Sequence, residues 1–199
     1  MSISILVRLA VCLLTVYFYS MEKKNLVFIA TSLDGFIADR DGGLDWLHSV
    51  PNPDNIDLGY EKFIKRVDAI VMGRATYDVV RSFGIDWPYK IPVFVLSSTM
   101  DSPAEDLKDK VEVLNGSPSE VMKEIHDKGY TRLYIDGGIT IQNFLKADLI
   151  DEMIITTIPV VLGGGFLLFG ELPKEMGFEL VGSEVYLNAL VQSSYQRLR

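Results

Sequence analysis

The 199 residues hold a single cysteine, Cys12, and only two histidines, His48 and His126. Cys12 sits in the apolar first twenty residues, so the remainder has no disulfide framework, thiolate metal site or cysteine nucleophile. Two histidines are too few for a histidine-based metal cluster, and His126 falls in a polar helical stretch that reads as surface. No metal site is expected. No serine stands on a Gly-x-Ser-x-Gly elbow, which removes the main support for a hydrolytic triad. Cations are outnumbered, with 19 Lys and Arg against 27 Asp and Glu and a formal net charge of −8. They are scattered without a basic stripe, so nucleic acid is not an expected partner. After residue 20 there is no low-complexity linker, internal repeat or composition break. Residues 21–199 read as one domain, long enough to bury a core of its own.

Residues 1–20 are an apolar leader in which Arg8 is the only charge. As a secretory signal the stretch fits poorly, because Phe18 and Tyr19 occupy the place where small residues precede cleavage. As a membrane anchor it is at the short end of the permitted length, and Lys23 and Lys24 would hold the following domain on the cytoplasmic side. The third reading is that translation starts at Met21. Every reading but secretion places the domain in the cytoplasm, and only the anchor reading brings in a membrane.

The most informative stretch runs from Val71 to Asp78. A buried apolar strand, Ala69 to Met72, stops at Gly73, and Arg74, Thr76 and a helix-compatible segment follow. Unpaired N–H groups at a helix start, with the positive end of the dipole behind them, form a phosphate site. Glycine permits close approach, while Arg74 and Thr76 add a charge and a hydroxyl. A second junction of this kind is Leu133 to Asp136, then Gly137 and Gly138, then Ile139 to Lys146. Each glycine alone could simply make a tight turn; the pair suggests a ligand with two or more phosphates.

Strands are expected at Leu26–Ala30, Ala69–Met72, Val93–Leu96, Val111–Leu114, Leu133–Ile135 and Glu152–Ile158. The intervening segments Leu58–Arg66, Ala75–Phe83, Ser119–Lys128 and Ile139–Ala147 read as helices. Continuous apolar strands alternating with helices argue an α/β fold with a mostly parallel central sheet flanked by helices. Phe178–Val181, Val185–Leu187 and Val191–Arg197 partly alternate and read as antiparallel additions at one edge. Ligands of such sheets sit beyond the carboxyl ends of the strands. Both glycine turns are there, as are Ser97, Ser98 and Thr99.

These segments resemble the dihydrofolate reductase superfamily, and more closely the stand-alone relatives of the reductase domain of the riboflavin-biosynthesis deaminase-reductase. The resemblance rests on Ser32 to Ala38, Met72 to Tyr77, Trp87-Pro88-Tyr89, Val95 to Ser98, Asp136-Gly137-Gly138, Leu149 to Glu152 and Ile158 to Gly165, in the family's order. It implies a dihydrofolate reductase-like fold and a homodimer. It also implies NADPH-dependent hydride delivery to a ribosylated pyrimidine, as in 5-amino-6-(5-phosphoribosylamino)uracil reductase, or to a pteridine, as in dihydrofolate reductase. A nucleotide-binding protein without turnover is the rival from another class.

Carried over by the resemblance, Gly73, Arg74 and Thr76 hold cofactor phosphates, Gly137 and Gly138 face the pyrophosphate, and Gly164 lies either in a loop beside the cofactor or in a flexible connection to the final strands. Ser97 and Ser98 fall near the adenosine ribose and its 2′-phosphate, yet Thr99 and Met100 follow where many relatives carry a cation. Hydroxyls alone hold a phosphate dianion less well than a guanidinium does. The Ser32-Leu33-Asp34-Gly35 segment is either a loop closing over the nicotinamide or a turn after the first strand. Reduction of a C=N bond also needs a proton. Asp57 matches the spacing of the folate enzymes' acid, and an apolar cleft would raise its pKa; alternatively it caps the helix that follows. Asp34 and Asp45 are the other candidate acids. Trp46, like Asp34, could contact substrate, or Trp46 could pack in the core.

Overall fold

The computed structural model describes residues 22–199, so the apolar leader lies outside the described residues. The first half comprises Lys24–Ser32 (β1), Phe36–Ala38 (β2), Tyr60–Ile64 (α1), Ala69–Gly73 (β3), Arg74–Ser82 (α2), Val93–Leu96 (β4) and Val111–Leu114 (β5). The second comprises Pro118–Asp127 (α3), Arg132–Asp136 (β6), Gly138–Lys146 (α4), Glu152–Ile158 (β7), Phe166–Leu167 (β8), Phe178–Tyr186 (β9) and Leu190–Arg197 (β10).

Eight strands form one sheet in the order β5-β4-β3-β6-β1-β7-β10-β9. Those from β5 to β7 run parallel, and β10 and β9 add antiparallel at the far edge. Alternation along the central strands divides the core into two layers. Val27, Val71, Leu133 and Ile135 face α3 and α4, packing on Val121, Ile125 and Phe144. Leu26, Ile70, Met72 and Val95 face the other way, onto Phe63 of α1 and Tyr77 of α2. Full coverage of both faces is what the unbroken apolar strands require.

The structure departs from the expected elements in three places. Helix α1 starts at Tyr60 rather than Leu58, because Leu58 and Gly59 take φ of 53° and 85°, outside the helical region. Phe178–Val181 and Val185–Leu187 fall on one strand, β9, running through Gly182, with Val181 bulged out opposite Ser194 and Tyr195 of β10. β2 and β8 were not foreseen: at three and two residues they are too short to show periodicity, yet they pair as a small second sheet. Among the described residues no helix is long and apolar enough to cross a membrane.

Candidate functional site

The two glycine turns are neighbours in space because β3 and β6 pair directly, with Met72 opposite Asp136. Helix α2 starts from Gly73 and α4 from Gly137, and neither start has a side-chain cap. Helix α3 is the contrast, with a complete capping box in which the Ser117 and Glu120 side chains bond each other's backbone N–H groups. At the starts of α2 and α4 the uncapped N–H groups and the helix dipole favour an anion. The turns also interlock. A Cβ on Gly137, whose φ is 88°, would overlap the Thr76 hydroxyl, and one on Gly73 would fall 2.9 Å from that of Thr140.

Both turns open on a cavity of about 1030 Å³ at the carboxyl ends of the parallel strands. That is at the upper end of the range for ligand pockets. Gly73, Arg74, Thr76, Ser97, Ser98, Gly137 and Gly138 all line it. A cation from the neighbouring turn reaches the turn after β4. Arg74 Nη1 donates to Thr99 Oγ1 at 3.0 Å, while its Nε lies 3.4 Å from Asp78. A guanidinium therefore stands at the Thr99 hydroxyl of the β4 turn.

Beyond the glycine turns the cavity meets Asp136, at the end of β6. Its Oδ1 accepts from the Gly137 N–H at 2.8 Å. Tyr134, two residues earlier on the same strand face, donates its hydroxyl proton to the Phe28 carbonyl at 2.9 Å. Burial pushes the Asp136 carboxyl up to about 6, offset in part by the Gly137 N–H. Tyr60, Tyr89 and Tyr134 share this environment and are raised in turn, first by desolvation and then by the nearby Asp136 charge. From the sequence alone Asp136 reads only as part of a glycine turn. Strand alternation, which puts Tyr134 and Asp136 on one face, was the available signal; Tyr60 and Tyr89 join them only through the fold.

The remaining expected residues lie outside the cavity wall. Asp34 accepts from the Ser32 hydroxyl at 2.6 Å and from the Leu162 and Gly163 N–H groups at 3.1 and 2.7 Å. These bonds hold its pKa below the usual carboxylate value, the Ser32 hydroxyl contributing most. Asp34 thereby latches the turn after β1 to the triple-glycine loop. In that loop Gly164 packs against the Arg40 guanidinium, and its neighbour Gly165 is the glycine that reaches the cavity. Trp46 is 9% exposed and packs with Ile158 and Leu190 in a third apolar cluster. Asp57 is on the surface, where its carboxylate accepts from Glu61 N–H at 2.7 Å and Gly59 N–H at 3.2 Å. Its pKa is lowered by those bonds, which corrects the expectation of an apolar setting that would raise it. The formal N-cap of α1 is Gly59, so Asp57 satisfies the helix start from two residues upstream.

Residues 24–191 match the RibD C-terminal domain family. A crystal structure from Shewanella sp. PV-4, whose name provisionally places it in riboflavin biosynthesis, is 56% identical, with a TM-score of 0.86 over 88% of this chain and 99% of that one. The diaminohydroxyphosphoribosylaminopyrimidine deaminase/5-amino-6-(5-phosphoribosylamino)uracil reductase of Thermotoga maritima is 14% identical, with a TM-score of 0.69. The match spans 92% of this chain and 58% of that one. Dihydrofolate reductase from Enterococcus faecalis, solved with NADP(H), is 22% identical, with a TM-score of 0.63 over 88% and 97% of the two chains. The last two likenesses speak to the fold alone.

Proposed function

The chain belongs to the RibD C-terminal domain family, and from that premise we propose that it is an NADPH-dependent reductase acting on a pyrimidine or pteridine heterocycle. One observation carries the reading: two uncapped helix starts interlock through Gly137 and Thr76 on a single cavity, with the Arg74 guanidinium at the neighbouring β4 turn. That arrangement suits a dinucleotide. The α2 and α4 N–H groups and Thr76 would bind the pyrophosphate, and Arg74 with Ser97 and Ser98 would take the 2′-phosphate. When bound, NADPH supplies hydride.

The protein's own work is to hold a flat ring against the cofactor, exclude water and manage a proton. Asp57 and Asp34 are already engaged by backbone donors outside the wall. Asp136 is the carboxyl group that lines the cavity, and it can hold a proton at its floor. The reading also carries a cytoplasmic setting and a homodimer, the latter supported by the apolar side chains of the edge strand β9, where Leu180, Val181 and Val185 are exposed. Light scattering on the purified chain gives the oligomeric mass directly.

The test follows NADPH twice. Its fluorescence should shift on binding the full chain, and its nicotinamide absorbance should fall when a ribosylaminopyrimidine or dihydrofolate is added. Binding without oxidation by either substrate would favour a cofactor-binding protein over a reductase; no binding would remove both.

A further inference from the structure

The chain has six asparagines, and only Asn115 precedes a glycine. It follows β5 in the segment before α3, where Asn115, Gly116 and Ser117 are all exposed. The backbone nitrogen after an asparagine can close a five-membered ring on the side-chain amide when its N–H is unengaged. A glycine in that place leaves the approach unobstructed.

The other five asparagines are closed to this reaction. Pro53 follows Asn52 and has no N–H to offer. The Ile56 N–H, after Asn55, donates to Asn52 Oδ1 at 2.9 Å, and the Ala189 N–H, after Asn188, donates to the Tyr186 carbonyl at 3.0 Å. Asn143 lies inside α4, where the next N–H belongs to the helix ladder. Asn25 is buried in β1, and its amide donates to the Leu149 carbonyl at 2.6 Å. Gly116 differs from all of these. The capping box of α3 takes the Ser117 and Glu120 N–H groups, and among the described residues nothing accepts from the Gly116 N–H.

Leu96 pairs with Leu114, and the Ser97 N–H donates to the Leu114 carbonyl at 3.0 Å. Asn115 therefore emerges beside Ser97 at the carboxyl end of the sheet, and both residues line the cavity. A carboxylate in place of the Asn115 amide would add a full negative charge to this wall.

The geometry points to Asn115 as a site of spontaneous deamidation that sets a carboxylate into the cavity wall. The Gly116 nitrogen bonds to Asn115 Cγ, the Cγ–Nδ2 bond breaks, and ammonia leaves with the Gly116 proton. Solvent water then opens the ring at either carbonyl, giving aspartate or isoaspartate. The effect on cofactor rests on the reductase reading: with the 2′-phosphate held by Arg74, Ser97 and Ser98, the new charge repels it.

The experiment ages the full chain in mildly alkaline buffer and follows each asparagine by peptide mass spectrometry. Asn115 should gain about one dalton first, as aspartate and isoaspartate, and faster as pH rises. An intact Asn115, or earlier conversion of another asparagine, overturns the inference. The converted protein, separated by ion exchange, and the N115D variant should each bind NADPH more weakly by about tenfold. Unchanged affinity in both would remove the new charge from the cofactor's wall. Asn115→Gln, whose longer side chain closes a ring far more slowly, should keep its starting affinity through the same ageing; a matching decline there counts against Asn115 as the cause. Failure of the fresh chain to bind NADPH would sink the reductase reading alone, because the mass measurement needs no cofactor.

Discussion

The Arg74 guanidinium donates to the Thr99 hydroxyl at 3.0 Å, so a side chain from the β3 turn completes the turn after β4. The two segments are 25 residues apart in sequence and adjacent in the sheet because β3 and β4 pair, with Gly73 opposite Leu96.

If this guanidinium holds the 2′-phosphate, Arg74→Ala should weaken NADPH by about 10- to 100-fold, the range for a charge-assisted hydrogen bond. NADH, which has no such phosphate, should change much less. Paired fluorescence titrations measure both, and equal losses would place Arg74 on the pyrophosphate instead.

Gly137 is held at a φ of 88° with no room for a methyl against Thr76. Gly137→Ala should therefore lower stability by roughly 1–3 kcal/mol and abolish the stabilisation given by NADPH. Thermal melts with and without cofactor report both effects. Restoring space with Thr76→Ala in the same chain should recover little, because the strain in φ remains.

Asp34 ties two loops through hydrogen bonds that need its ionised form, and its folded-state pKa is depressed. The tie is thus fully present above the unfolded pKa near 4 and is lost as pH falls through the lower folded value. Asp34→Ala should speed hydrogen exchange at Leu162 and Gly163 at neutral pH while leaving the β1 core protected. Unchanged exchange would mean the triple-glycine loop holds its place without the latch.

Asp136 behaves in the opposite sense. Its folded pKa is raised from 3.8 to about 6, so the folded state binds the extra proton. Its favourable contribution is complete below about pH 4 and disappears as pH rises through about 6. Cofactor-free protein should lose stability over that window, on the order of 1–3 kcal/mol, and Asp136→Asn should flatten the profile. Denaturant midpoints at pH 4.5 and 7.5 are sufficient. The control is Asp57→Asn, which should leave both this profile and the turnover rate unchanged.

Much of this architecture can be read from the chain because the central strands are apolar without interruption. Val71 and Met72 are buried on opposite faces, so the pattern signals a covered sheet directly. The glycine turns were equally visible, since Gly73 and Gly137 end such runs and open helices. The site's chemistry was less accessible. That Arg74 reaches Thr99 depends on strand order, which no local pattern encodes. Asp57 had suitable spacing for an acid, but its surroundings come from two positive-φ residues, Leu58 and Gly59, that turn it to solvent beside the backbone of Glu61. The setting of Asp136 likewise requires Tyr60 and Tyr89, brought in from segments far from β6.

The mesh of Gly137 with Thr76 constrains how this protein can change over time. A single replacement at either glycine turn disturbs both at once, so this part of the cavity floor has almost no neutral route to variation. Leu47, Val79 and Phe83 carry no such restriction, and Phe83 is 53% exposed. New ligands would be accommodated by redecorating those walls, while the interlocked turns are passed on intact.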